Sequence, residues 1–156
     1  MTKLRKIVSG GQTGVDRAAL DAALAQGFPC GGWCPEGRLA EDGPILDRYP
    51  LTTLPSAGYE ERTLKNLVDS DGTLIVFFTT ISGGTLETLE WCEKRSIPVL
   101  AVDASLLSVD QAAQEAMTFL STAMIETLNV AGPRASKQAK AYDYTFHLFS
   151  SLISRT

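Results

Sequence analysis

The stretch IVSGGQTGVDRAALDAAL, residues 7–24, decides how the chain is read. An apolar run ends at Val8, and Gly10, Gly11 and Gly14 punctuate the turn after it. An alanine-rich pattern then recurs at helical spacing, with Val15, Ala18, Ala19, Ala22 and Ala23 on one side. Strand, glycine turn and helix in that order form the opening unit of a doubly wound α/β sheet. Glycine admits positive φ and lets another group approach the backbone. A helix that starts at once points free N–H groups and a partial positive charge at that group.

Working outward, the same alternation continues. Residues 4–9 read as the first strand and residues 14–26 as the first helix. GFPCGGWCPEG, residues 27–37, is a short strand and a turn, and RLAEDGPILDRYP, residues 38–50, reads as loop. PLTTLP, residues 50–55, is a brief strand between prolines. YEERTLKNLVDSD, residues 59–71, is an amphipathic helix carrying Leu64, Leu67 and Val68. GTLIVFFTT, residues 72–80, is a continuous apolar run that suits the middle of a parallel sheet, buried on both faces. A helix over 83–96 comes next, with Leu86, Leu89 and Cys92 at helical spacing, and then a strand over 97–103. Residues 108–124 form a helix capped by Ser108, residues 125–132 the last strand, and residues 135–154 a closing helix. Ala135, Ala139, Tyr142, Phe146, Phe149 and Ile153 form its apolar stripe.

Strand and helix in strict alternation mean a mostly parallel sheet covered on both faces. Right-handed crossovers then give a three-layer, doubly wound, Rossmann-like fold. A chain of 156 residues fits one such domain over 1–156, and no composition shift or repeat divides it. The irregular segment from 31 to 58 is long enough to imply a task. Hydrophobic content of 44% and charged content of 21% are those of a soluble globular protein. A net charge of −4 argues against a nucleic-acid partner. No apolar run approaches the roughly 18 residues of a membrane span, and MTKLRKIVSGG lacks a signal core, so a cytoplasmic location is expected. Cys30, Cys34 and Cys92 read as small packed hydrophobes and His147 as a surface or packed residue; no cluster supplies a metal site.

Three strand ends carry the same kind of turn: SGGQTG at 9–14, TTISGGT at 79–85 and NVAGPRAS at 129–136. In a parallel sheet all three share one rim, where ligands bind beyond the carboxyl ends of the strands. If the order reverses between the first strand and TLIVFF, the first two loops flank the crevice directly, with Gly10 and Gly83 inside it. Ser9, Thr13, Thr79, Thr80, Ser82 and Thr85 add hydroxyls. Arg17 sits one turn into the first helix, and Arg134 begins the last. The set reads as an anion site for phosphate or a similar oxyanion. Each turn alone also reads as an ordinary strand-to-helix connection, and Thr13 with Asp16 fits a capping box. SGGQTG matches neither GxGxxG nor GxxxxGK[ST].

SGGQTGVDRAALDAAL, GGWCPEGRLAEDGPI, SGGTLETLEWC and LNVAGPRAS, in that order over nearly the whole chain, resemble the molybdenum cofactor carrier proteins. The resemblance implies a Rossmann-like fold in the wider superfamily of the cytokinin-activating phosphoribohydrolases, often misnamed lysine decarboxylases. It implies a bound molybdenum cofactor (molybdopterin), a small phosphorylated pterin whose dithiolene chelates the metal, or a phosphate in its place. It also implies homo-oligomers and a recipient molybdoenzyme. Gly10, Gly11, Gln12, Thr13 and Gly14 match the first family loop, and Ser82, Gly83, Gly84 and Thr85 the second. Asn129, Gly132, Pro133 and Arg134 match the third. Trp33, Cys34, Pro35, Gly37, Arg38, Glu41, Asp42 and Gly43 match the intervening loop, which would lie over the rim with Arg38 as a further cation, or else pack as an Ω-loop anchored by Trp33.

The phosphoribohydrolases supply an enzyme alternative. Their loop resembles PGGxGTxxE, whose glutamate serves N-glycosidic cleavage. Aligned on Thr85, that position is Thr88 here, and Glu87 points about 100° away on a helix. No catalytic residue is therefore assigned. A nucleotide or nucleotide-sugar sensor is the third reading.

Overall fold

A computed structural model describes residues 3–55 and 58–156. Positions 56 and 57 of the long irregular segment, and the first two residues, lie outside the described residues. In chain order the elements are β1 (Lys6–Val8), α1 (Val15–Ala25), β2 (Cys30–Gly31), β3 (Trp33–Pro35), β4 (Leu39–Ala40) and β5 (Gly43–Pro44). They continue with β6 (Thr52–Leu54), α2 (Tyr59–Val68), β7 (Gly72–Phe77), α3 (Gly83–Lys94), β8 (Val99–Asp103), α4 (Val109–Thr122), β9 (Thr127–Ala131) and α5 (Ala141–Arg155).

The main sheet has the order β2-β1-β9-β7-β8, and every pairing in it is parallel. Helices α1, α5 and α4 pack side by side on one face, and α2 and α3 adjoin each other on the opposite one. This is the expected three-layer, Rossmann-like arrangement. Its middle strand is β9, however, and not the apolar run of β7. β9 carries Asn129, which an interior strand tolerates because Asn129 Nδ2 donates to Thr73 Oγ1 at 3.3 Å. β7 is buried from Gly72 to Val76 all the same. Two small sheets flank the main one: β3 pairs with β6 in parallel, and β4 with β5 antiparallel. The segment 38–50 is thus not plain loop; it holds a short hairpin with Glu41 and Asp42 at its tip.

The core follows the helical stripes, with corrections. Val15, Ala18, Ala19, Ala22 and Ala23 of α1 are all buried. On α2 the buried residues are Arg62, Asn66 and Leu67, while Val68 is 53% exposed. On α3 they are Thr88 and Cys92, and Leu86 is 39% exposed. Ser108 caps α4 as expected, accepting from the Gln111 N–H at 3.1 Å. α5 starts at Ala141, so Ala135 and Ala139 stand exposed before it, and Arg134 does not begin that helix. Cys34 and Cys92 are buried, Cys30 is half-buried, and all three are free thiols pushed up from their ordinary values by burial.

Candidate functional site

Chain direction changes sides at the middle of this sheet. β1 leads left to β2, β7 leads right to β8, and β9 fills the place between them. A cavity of about 450 Å³ opens there at the carboxyl ends of the strands. Strands are spaced about 4.8 Å apart, so the β1 and β7 ends of the cavity lie roughly 10 Å from each other.

Of the residues expected at the site, Gly10, Gln12, Ser82, Gly84, Thr85, Asn129, Gly132 and Arg134 line this cavity. Gly11, Thr13, Gly14, Arg17, Arg38, Thr79 and Gly83 do not, and for all but Gly83 the contacts show where the residue is engaged instead. A Cβ on Gly11, at φ +78, would come within 2.4 Å of Leu51 Cδ1, and one on Gly14 within 2.4 Å of the Pro133 carbonyl. Both glycines therefore serve close packing. Thr79 is tied to Asp103, whose carboxylate accepts from its N–H at 3.0 Å. Arg38 donates to the carbonyls of Ile45, Leu46, Tyr49 and Leu51, which spends its guanidinium on shaping the 38–51 segment. Arg17 holds Asp42 with two hydrogen bonds, at 3.0 and 3.2 Å, and its Nε donates to the Gly11 carbonyl.

The first loop is not an open cradle of N–H groups. The Gly11 N–H donates to Ser9 Oγ, the Gln12 N–H to Asp16 Oδ2 and the Thr13 N–H to Gln12 Oε1. The third loop is engaged by a carboxylate of the chain itself. Glu41, at the hairpin tip, accepts from the Thr13 hydroxyl, from the Ser136 N–H at 3.1 Å and from the Ser136 hydroxyl at 2.6 Å. Arg134 Nε lies 3.4 Å from the same carboxylate. The hydroxyls of Ser136 and Thr13 hold the Glu41 carboxyl below its ordinary value. Glu41 and Asp42 thus strap the hairpin to the rim.

The open donors are at the second loop. Ser82 makes no side-chain cap bond at the start of α3, so the leading N–H groups of this 12-residue helix have no such partner. Gly84 leaves open space where a Cβ would stand, and Lys137 Nζ lies 3.1 Å from the position a Cβ would take on Gly83. Lys137 and Arg134 both line the cavity. Thr88 lines it too, its hydroxyl donating to the Gly84 carbonyl at 2.9 Å.

At the other end stand Tyr59, Arg62 and Asn66, which the sequence reading did not single out, beside Asp16, which it read only as a capping-box partner. Arg62 of α2 is buried against Asp16 of α1, with Nη1 and Oδ2 3.5 Å apart. Burial raises the Asp16 carboxyl above its ordinary value, and Arg62 opposes that rise. The guanidinium lies over Gly10, where a Cβ would come within 1.5 Å of Nη1. Tyr59 packs its ring 5.2 Å from the Arg62 Cζ and accepts from Gln12 Nε2 at 2.8 Å. Tyr59, Arg62 and Asn66 recur at helical spacing, and that polar stripe on α2 was the available signal.

The fold and this cleft define a class, and comparison with known proteins agrees with it. The chain belongs to the circularly permutated YpsA SLOG family, whose model matches residues 7–153. It is also similar to a crystal structure described as "Putative molybdenum carrier protein" from Syntrophus aciditrophicus, with 41% identity and a TM-score of 0.94 over 97% of this chain and 96% of that one. No curated protein matches the chain. Among the described residues, no group of three His, Cys, Asp or Glu side chains is placed to hold a metal ion, and no helix is long and apolar enough to cross a membrane.

Proposed function

We propose that the chain is a carrier that binds a small phosphorylated planar ligand, the molybdenum cofactor, in the cleft between β1 and β7. The observation that carries this reading is the anion end of the cleft: the uncapped α3 N-terminus with Lys137 beside it, and Arg134 elsewhere on the cavity wall. The residues present fit a phosphate there, and Ser82 and Thr85 add hydroxyls. The likeness to a structure described as a molybdenum carrier supplies the ligand class. The cofactor's own dithiolene would hold its metal, so the proposal calls for no protein ligand set. Homo-oligomers, a cytoplasmic setting and a recipient molybdoenzyme are part of the same proposal. Native mass spectrometry of protein purified from its own cells tests it. A retained pterin of the cofactor's mass supports the carrier; a retained nucleotide supports a nucleotide sensor instead.

One observation favours a hydrolytic second reading. The carboxyl on the cavity wall is Asp16, raised by burial, and not Glu87. Release of free base from nucleoside 5′-monophosphates, lost in Asp16→Asn, would favour a phosphoribohydrolase-like enzyme.

A further inference from the structure

The Asp16–Arg62 pair is built at a cost that packing alone does not explain. Both side chains are nine-tenths buried or more, with relative exposures of 8% and 10%, yet they meet at one contact of 3.5 Å. Arg62 Nε is sealed in the wall with no hydrogen-bond partner. Buried ion pairs are stabilising when every donor and acceptor is met, and this one leaves several open. Among the described residues, Asp16 Oδ1 accepts no hydrogen bond and Arg62 Nη2 donates none. Neither is among the sealed, unpartnered atoms, and both belong to residues that line the cavity. The wall therefore presents an acceptor beside a donor. Tyr59, with its hydroxyl fixed by Gln12, supplies a flat apolar surface next to them.

We infer that Asp16 and Arg62 read the cis-amide edge of a planar heterocycle, Asp16 accepting its ring N–H and Arg62 donating to its adjacent carbonyl, while the ring lies against Tyr59. This deepens the carrier reading and rests on it: the phosphate occupies the α3 end, and the ring reaches across to the β1 end. The same edge occurs on the pyrimidinone ring of a pterin and on guanine. An isolated carboxylate would repel a phosphate; at the far end of the cleft, paired with Arg62, it instead selects ligands that bring an N–H.

The test uses the unmodified protein and isothermal titration with four probes. They are 6-(phosphonooxymethyl)pterin, its N3-methyl derivative, guanosine 5′-monophosphate and its N1-methyl derivative. Methylation removes the N–H and leaves the phosphate. The inference expects methylation to weaken binding of the better parent probe by about 10- to 100-fold, the range for a hydrogen bond to a charged group. Whichever parent binds more tightly names the source of the edge, pterin or nucleotide. In Asp16→Asn, whose amide oxygen accepts more weakly than a carboxylate, the gap between parent and methylated probe should shrink to roughly 2- to 10-fold and fall below that of the parent protein, a non-additivity that a general loss of folding would not produce. Methylated and parent probes binding alike overturns the edge reading and leaves the phosphate site standing. If no probe binds and inorganic phosphate also fails to bind, the carrier reading falls and the inference with it.

Discussion

Gly10→Ala is the sharpest perturbation the structure offers. The added methyl would sit 1.5 Å from Arg62 Nη1, 2.3 Å from Cζ and 2.9 Å from Nε, so the guanidinium must shift off its place over Gly10, away from the single contact it makes with Asp16. The backbone itself is permissive, since Gly10 has no positive φ. Asp16 would then be a carboxylate at 6% exposure without its cation. Removing one partner of a buried pair costs about 3–5 kcal/mol. Asp16 lines a cavity that water can enter, which puts the expected loss near the lower end, about 3 kcal/mol. For a chain of this length that is roughly 6–12 °C in melting temperature. The loss should depend on pH in a defined direction. A folded-state carboxyl raised above its unfolded value of 3.8 means that stability falls as pH rises through the folded value. The gap between variant and parent should therefore be largest near neutrality and close in acid. Adding Asp16→Asn to Gly10→Ala should recover part of the loss, because no charge is then stranded. Differential scanning calorimetry from acid to neutral pH reads all of this. A Gly10→Ala protein that melts within about a degree of its parent at neutral pH would refute the reasoning.

The same geometry gives three further outcomes. Lys137→Ala should weaken a phosphorylated pterin about tenfold and leave the dephosphorylated pterin unchanged, as titration calorimetry would read. Gly11→Ala should destabilise by about 1–3 kcal/mol, through Leu51 and the positive φ, without altering affinity in the folded fraction. Glu41 is depressed below its ordinary 4.5, so its contribution is complete above that value and is lost as pH falls through the lower folded one. Pepsin should cut the 38–50 hairpin faster as pH drops below 4.5, and Glu41→Gln should show that faster cutting at every pH tested.

The sheet was legible because its strands and turns obey local rules. The apolar run of β7, the alanine face of α1 and the Ser108 cap each follow from a few neighbouring residues. The central place of β9 was not, since strand order depends on packing between distant elements. The rim itself was readable from the three glycine turns. Their division of labour was not. Gly11 and Gly14 look like ligand cradles in sequence and prove to be close-packing sites, because Leu51 and Pro133 arrive from far along the chain. Arg17 and Arg38 look like anion receptors until Asp42 and four carbonyls are seen to occupy them. Arg62 was hidden by the opposite error. A lone arginine on an amphipathic helix reads as solvated surface, and only the tertiary approach of Gly10 and Asp16 shows that it is buried.

The central claim is that the cleft holds a phosphorylated heterocycle with its phosphate at the start of α3 and its ring at Asp16 and Arg62. A crystal structure of the protein grown with 6-(phosphonooxymethyl)pterin tests it most directly. The account predicts phosphate density within hydrogen-bond distance of the Gly84 and Thr85 N–H groups and of Lys137 Nζ. It also predicts the pyrimidinone edge against Asp16 Oδ1 and Arg62 Nη2. Phosphate density at the SGGQTG turn instead, or ligand density outside this cleft, would contradict it.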